Sequence, residues 1–124
     1  MAHQQNYEDI VIPQGTDTAT ELHLTKESDG TAFDLTNYSA AAKMKRRHQD
    51  SANDPNTVTF NAIIATPATS GIVTLSLSSD SSQNLITRGR YVWDCEVSFV
   101  DSDGNTIVQR VAEGQAEISP SVTY

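Results

Sequence analysis

The segment Trp93-Asp94-Cys95-Glu96 collects the residue types most able to do chemistry, because it holds the chain's only tryptophan, its only cysteine and two carboxylates. Two carboxylates side by side can serve as a general acid and a general base. A thiol can serve as a nucleophile when a base lies within hydrogen-bond reach. Whether this segment is a catalytic site depends on the element that positions it.

Apolar and polar residues alternate around this segment, from position 91 to position 99. A period of two predicts a β-strand with one face toward the core and the other toward solvent. The alternation places none of the three histidines beside the cysteine, so we expect a buried and inert thiol. The predicted inward residues are Tyr91, Trp93, Cys95, Val97 and Phe99, the outward ones are Asp94, Glu96 and Ser98, and the histidines are His3, His23 and His48.

Asp94 and Glu96 share the outer side of this predicted strand, where a structural role competes with a catalytic one. Residues 39–47 could be a helix, since Ala, Lys, Met and Arg favour helices. Their apolar spacing of two instead favours a strand, which would lie beside the predicted strand at 91–99. Its basic residues would then form cross-strand ion pairs with the carboxylates. We therefore predict no catalytic, cofactor-binding or metal-binding residue, and a candidate assembly surface made of Lys43, Lys45, Arg47, Asp94, Glu96, Tyr7 and Tyr124.

Two further motifs have simple structural explanations. The basic cluster at 43–48 lacks interleaved aromatic residues and lies in an acidic chain, so it does not indicate nucleic-acid binding, although it could dock an acidic neighbouring subunit. Residues 101–105, Asp-Ser-Asp-Gly-Asn, resemble half of a calcium loop. The glycine comes too early for such a loop, and Ala112 stands where a calcium-binding glutamate is required. A hairpin turn accounts for the same residues.

Length and charge exclude several classes of protein. The chain has 124 residues and a formal net charge of −8 at pH 7, so we expect one domain. The acidic balance argues against binding to nucleic-acid phosphates or to an anionic membrane. A single cysteine excludes an internal disulfide. We also expect no signal peptide, because the first six residues are polar.

Alternating segments predict the other strands, with Phe60, Leu75 and Leu77 in the core. A short helical turn is predicted near residues 79–86, capped by Ser79 or Asp80 and followed by a buried Leu85. The fold class is therefore all-β. We predict an antiparallel β-sandwich of seven to eight strands. Residues 1–7 would be a flexible N-terminal arm, and residues 8–124 a single β-sandwich domain.

The last hairpin can be assigned by the parity of its side chains. A three-residue loop, residues 102–104, pairs Asp101 with Asn105 and gives Gly104 the left-handed position that such loops require. This register places two apolar pairs inside the sandwich, namely Phe99 opposite Ile107 and Cys95 opposite Val111.

Residues 33–47 and 70–123 together resemble the immunoglobulin-like β-sandwich domains of bacteriophage virion proteins, such as baseplate upper proteins and other tail-associated components. The matching features are an Asp-Leu-Thr-x-Tyr corner at 34–38 with a basic strand after it, and the punctuating residues Gly71, Gly89, Tyr91, Asp94, Gly104, Gly114 and Thr123. Asn37 replaces the glycine of that corner, and asparagine tolerates left-handed backbone. Gly89 and Tyr91 are similar to a tyrosine corner, in which the phenol binds the incoming connection.

The resemblance implies a non-enzymatic structural subunit of a virion, in the tail, baseplate or fibre-attachment region. Such a subunit would assemble with other virion proteins and with copies of itself, without a cofactor, nucleic acid or membrane, after synthesis in the host cytoplasm. A capsid decoration protein is one alternative. A carbohydrate-binding adhesin module is another, for which the exposed aromatic residues would be Tyr7, Tyr38 and Tyr124.

Overall fold

The computed structural model describes residues 6–26, 29–51 and 53–122. Alternation of apolar and polar residues gives the strands β1 (Asn6–Tyr7), β2 (Ile10–Pro13), β3 (Thr18–His23), β4 (Ser39–Lys45), β5 (Val58–Ile64), β6 (Ile72–Leu77), β7 (Arg90–Val100) and β8 (Thr106–Ser119). A 3₁₀ turn, Ala68–Ser70, precedes β6, and a one-turn helix α1, Ser79–Ser82, follows it. Residues 39–45 are thus a strand and not a helix, as their apolar spacing predicts.

The strands form two layers joined through β5. The front sheet contains β8, β7, β4 and the first half of β5. The second half of β5 pairs with β6, and β6 pairs with β3, which gives the back sheet. This strand order is that of an immunoglobulin-like sandwich. The predicted fold class is therefore confirmed.

The predicted antiparallel pairing is found for most strand pairs, but one edge of the front sheet differs. Both β1 and β2 run parallel to β8, with Tyr7 opposite Glu113 and Ile12 opposite Ile118. The predicted arm over residues 1–7 consequently ends earlier, because Asn6 and Tyr7 belong to the sheet. The remainder of the arm, residues 1–5, lies outside the described residues, as does Tyr124.

The core lies between the two sheets, where the inward side chains of both layers meet. Of the predicted core residues, Phe60, Leu75, Leu77, Tyr91, Trp93, Cys95 and Val97 are all buried. Phe99 is only half-buried. It is partly uncovered because β4 begins at Ser39, opposite Ser98, and does not extend alongside Phe99. Its ring contacts Tyr38, with 5.0 Å between the centroids.

Local hydrogen bonds fix the corner before β4. The Asp34 carboxylate accepts hydrogen bonds from the backbone N–H of Thr36 at 3.0 Å and from its hydroxyl at 2.6 Å. Asn37 has a φ of 68°, the left-handed geometry that its position in the corner predicts. The helical turn α1 also forms where expected, and Leu85 behind it is buried. Its cap is Ser78 rather than Ser79 or Asp80, since the Ser78 hydroxyl accepts from the Ser81 N–H.

The β7–β8 hairpin has the predicted loop, but its register differs from the prediction farther along. The Asp101 N–H donates to the Asn105 carbonyl at 2.9 Å, and Phe99 lies opposite Ile107. A β-bulge then inserts Val111, so Cys95 lies opposite Ala112 and not opposite Val111. Ile107 was predicted to be inside, yet 37% of it is exposed. The hairpin tip extends beyond the start of β4, which leaves this pair partly uncovered.

Within the described residues, no helix is long and apolar enough to cross a membrane.

Candidate assembly surface

The outward side chains of β4, β7 and β8 make one continuous surface, called here the outer face. Residues opposite each other in paired strands point to the same side of a sheet. Asp94 lies opposite Lys43 on β4 and opposite Glu113 on β8, so these three charged groups form one row across the outer face. The buried neighbours Trp93 and Cys95 lie beneath that row, on the inner side of β7.

The predicted row of basic and acidic partners is present in part. Lys43 and Asp94 are opposite each other, as predicted, but Lys45 faces Val92 and Glu96 faces Ala41. Arg47 is not on the outer face because the chain turns after Lys45. Its guanidinium instead binds Asp50, with 3.1 Å from Nη2 to Oδ1.

Arg110, which sequence patterns did not single out, makes the closest ion pairs of the outer face among the described residues. Its guanidinium lies 3.7 Å from Asp94 and 3.7 Å from Glu113. These distances are long and all three side chains are partly exposed, so each pair contributes less than about 1 kcal/mol. The charged groups therefore remain able to exchange partners.

A shallow groove of about 320 Å³ runs across the outer face. Its uncharged lining residues come from β4 and β7, and are Ala41, Ala42, Val92 and Trp93. The charged groups around it are Lys43, Lys45, Asp94, Glu96, Arg110 and Glu113, and His48 also lines it. This mixture of both signs is suited to contact with another charged protein surface.

The outer face is electrically neutral in a strongly acidic chain. Four of the eight basic residues and four of the sixteen acidic residues point outward from β4, β7 and β8. The net charge of −8 thus lies on the rest of the chain. The residues concerned are Lys43, Lys45, Arg90 and Arg110, and Asp94, Glu96, Glu113 and Glu117.

Exposed apolar side chains also concentrate on this side of the front sheet. Val100 and Val108 lie at its tip, and are 66% and 54% exposed. Tyr7 and Val11 lie at its β8 edge, opposite Glu113 and Glu117, and are 65% and 63% exposed. These four are a majority of the seven large apolar residues found exposed in the described part of the chain. Tyr7 thus joins the predicted assembly surface through β1.

Burial suppresses the reactivity of Cys95. Desolvation, and then the nearby charges of Asp94 and Glu96, raise the pKa of the Cys95 thiol to about 12. The thiol is therefore protonated at neutral pH, whereas a nucleophile needs the thiolate. Asp94 and Glu96 point away from it, on the opposite side of β7.

The other candidate motif, residues 101–105, is a hairpin turn held together by its own aspartate. The Asp101 carboxylate accepts from the N–H groups of Asp103 at 3.0 Å and Asn105 at 2.9 Å. Across the described residues, no group of three or more His, Cys, Asp or Glu side chains is placed to hold a metal ion.

One contact that sequence patterns missed ties the N-terminal strands to the inner side of β7. The Trp93 indole N–H donates to the Glu8 carbonyl at 3.0 Å. Glu8 crosses β8 directly above Gly114, where any Cβ would overlap its carbonyl oxygen. A glycine in the middle of a strand is a known sign of close backbone approach. Gly114 was therefore the one signal in the sequence that could have predicted this contact.

No family model and no curated protein sequence matches this chain. Among solved structures, it is similar to murine CRIg at 16% identity and a TM-score of 0.45, covering 92% of both chains. It is similar to AggA, the major subunit of aggregative adherence fimbriae type I from Escherichia coli, at 13% identity and a TM-score of 0.39, covering 93% of this chain and 91% of that one. An internalin-like protein of Listeria monocytogenes is 15% identical with a TM-score of 0.37, and the likeness covers 94% of this chain and 28% of that one. At these identities and TM-scores the fold assignment depends on the strand order of this chain itself.

Proposed function

We propose that this chain is a structural subunit of a bacteriophage virion, in the tail or baseplate region, and that it assembles with other proteins through the outer face. The observation that carries the assembly role is the combination of neutrality and exposed apolar side chains on one side of an acidic domain. The virion setting is supported by the sequence resemblance of residues 33–47 and 70–123.

The composition of the outer face fits a protein partner. Exposed apolar patches on a folded domain mark sites of contact with other molecules. Val100 and Val108 supply such a patch at one end, and the mixed charges of the groove supply specificity beside it. Because the outer face is neutral, an approaching protein does not meet the repulsion or attraction that the rest of the acidic chain would impose.

The adhesin alternative has less support from the described aromatic residues. A sugar-binding site generally needs aromatic side chains open to solvent. Tyr38 is half-buried between Phe33 and Phe99, with centroid distances of 5.6 Å and 5.0 Å. Tyr7 is exposed, but it lies at the far edge of the sheet from Tyr38. A virion subunit is therefore the better proposal.

A paired substitution tests the assembly role. Val108→Lys introduces a charge on the outer face, and Ile63→Lys introduces the same charge on β5, at a side chain that is also 54% exposed. Each variant would be supplied to phage that lack the natural gene, and particles would be purified and analysed by quantitative mass spectrometry. We expect incorporation of Val108→Lys to fall severalfold while Ile63→Lys stays near wild type. Equal incorporation of both variants would contradict the proposed surface.

The location is tested by immunogold labelling of intact particles. Label at the tail or baseplate is the expected result. Label spread over the capsid lattice would replace this proposal with a decoration protein, and absence of the chain from purified particles would refute the virion setting.

A further inference from the structure

We infer that the occupant of the outer face is a second copy of this chain, related by a twofold axis that runs parallel to the strands between β4 and β7. This inference rests on the proposed role of the outer face as an assembly surface. It adds the identity of the partner and the orientation in which it binds.

Charge complementarity is the reason for choosing a second copy. In a twofold interface the same patch is used by both molecules, so the patch must complement itself. Lys43 on β4 and Asp94 on β7 are directly opposite each other in adjacent strands. An axis between these strands exchanges their positions, which places Lys43 of each copy over Asp94 of the other.

Other arrangements of two copies are disfavoured by the same residues. A twofold axis perpendicular to the strands would lay β4 on β4 and bring the two lysine rows, Lys43 and Lys45, against each other. An axis centred on β7 would place Asp94 over Asp94. An axis between β7 and β8 would pair Glu96 with Arg110 and Arg90 with Glu117, but it would lay Asp94 over Glu113. Like charges facing each other oppose association. Of these positions, the one between β4 and β7 gives reciprocal opposite charges without a like-charged contact.

The groups concerned are free to change partners. The Asp94 carboxylate is 44% exposed and its contact with Arg110 is 3.7 Å long. Residues next to the pair also suit a close approach, since Ala41 and Val92 are small or apolar and lie beside the lysines. Two immunoglobulin-type sheets can pack face to face at about 10 Å with aligned strands. A face of about three strands is small for a stable complex, which indicates a weak pair strengthened by repetition within a symmetric assembly.

The orientation is tested by charge exchange, measured by sedimentation equilibrium at about 100 µM protein, where a weak pair is populated. Wild type should dimerise, and raised salt should weaken the dimer. Lys43→Asp and Asp94→Lys should each weaken dimerisation by about tenfold or more, because each creates like-charged contacts. Arg88→Asp changes the charge of an exposed loop residue outside the outer face and should leave dimerisation nearly unchanged.

Mixing the two single variants gives the decisive result. A heterodimer of Lys43→Asp with Asp94→Lys pairs an aspartate with a lysine at both contacts, so the mixture should dimerise although neither variant does so alone. Melting curves of each variant verify that the fold is retained. A monomeric wild type, or a mixture no more associated than its components, would overturn the inference. If the Val108→Lys variant is nevertheless excluded from particles, the proposed assembly role stands and only the identity of the partner is wrong.

Discussion

The two ends of the β7–β8 hairpin share the same alternation but differ in burial. At the base, Tyr91 and Trp93 are almost fully buried while Asp94 points outward. At the tip, Val100 and Val108 are more than half exposed. The hairpin is extended at both ends, but the base is covered by the opposite layer and the tip reaches past the start of β4. Alternation therefore determines which side a residue occupies, and the length of neighbouring strands determines whether that side is covered.

The largest expected difference between the two ends is seen by truncating one large aromatic residue at each. Trp93→Ala should lower the free energy of unfolding by about 3–5 kcal/mol, since it empties a buried site and removes the hydrogen bond to Glu8. Phe99→Ala at the half-buried tip should cost about 1–2 kcal/mol. Urea denaturation followed by circular dichroism measures both. Similar costs would mean that the tip is as well packed as the base.

A second experiment examines how the base holds the N-terminal strands. Gly114→Ala should cost about 2 kcal/mol, because its Cβ collides with the Glu8 backbone and that strand must shift. Hydrogen exchange should show faster exchange of the Glu8 N–H, which donates to the Glu113 carbonyl at 2.9 Å. Gly30→Ala meets open space but is strained by a φ of 72°, so it controls for destabilisation without a collision and should leave the contact of Glu8 with Glu113 intact. The strand contact would be refuted if Glu8 stayed equally protected in Gly114→Ala.

The base should also respond to alkaline pH through Cys95. Burial raises the pKa of its thiol to about 12 from an ordinary value of 9.0. The stabilising contribution of the protonated thiol is therefore complete below pH 9, and it is lost as the pH rises from 9 toward 12, because the unfolded chain ionises first. Relative to Cys95→Ala, wild type should lose up to about 1.4 kcal/mol per pH unit in that window. Urea unfolding at pH 8, 9 and 10 measures the free energy of unfolding of both proteins. If the two proteins showed the same dependence of that free energy on pH, the thiol would be accessible to solvent.

The tyrosine corner at the base is expected to have a smaller effect. The Tyr91 hydroxyl accepts a hydrogen bond from the Ile86 N–H at 3.0 Å, as its spacing from Gly89 predicted. Tyr91→Phe should cost about 1 kcal/mol, the net value of one hydrogen bond. Tyr38→Phe, which keeps its ring contacts near the tip, should cost less than about 0.5 kcal/mol. Thermal melting of the two variants checks the difference, and an unchanged Tyr91→Phe protein would exclude the corner.

Sequence patterns predicted the fold well where a local rule fixed the geometry. The alternation at 91–97, the left-handed Asn37 and the three-residue loop before Asn105 each depend on a few neighbouring residues, and each is found. The failures depend on distant parts of the chain. The bulge at Val111 and the parallel pairing of Tyr7 with Glu113 arise from contacts that no local pattern encodes.

The candidate surface shows the same division between local and distant information. Lys43 and Asp94 were predicted to be neighbours from strand alternation and the expected strand order. Glu113 was missed because its place opposite Asp94 requires the shifted register that the bulge creates, whereas Arg110 lies opposite Glu96 in the part of the hairpin before the bulge. Arg47 lies outside the outer face, in a turn where it binds Asp50 and which nothing in the alternation marks.

The smallest effect is expected from replacing a valine at the tip. Val108→Thr preserves shape and strand preference at a side chain that is 54% exposed, so it should change stability by less than about 0.5 kcal/mol in dilute solution. The same replacement at Val111, which is fully buried three residues away, should cost about 1–3 kcal/mol because it buries a hydroxyl. Denaturation at low protein concentration measures both substitutions on the isolated chain. Repeating it at high concentration is informative, since a partner that covers the tip would make the replacement of Val108 costly, whereas Val111 would be unaffected. A cost at Val108 that is already large in dilute solution would mean that the chain itself covers the tip, and the difference between the two ends of the hairpin would then disappear.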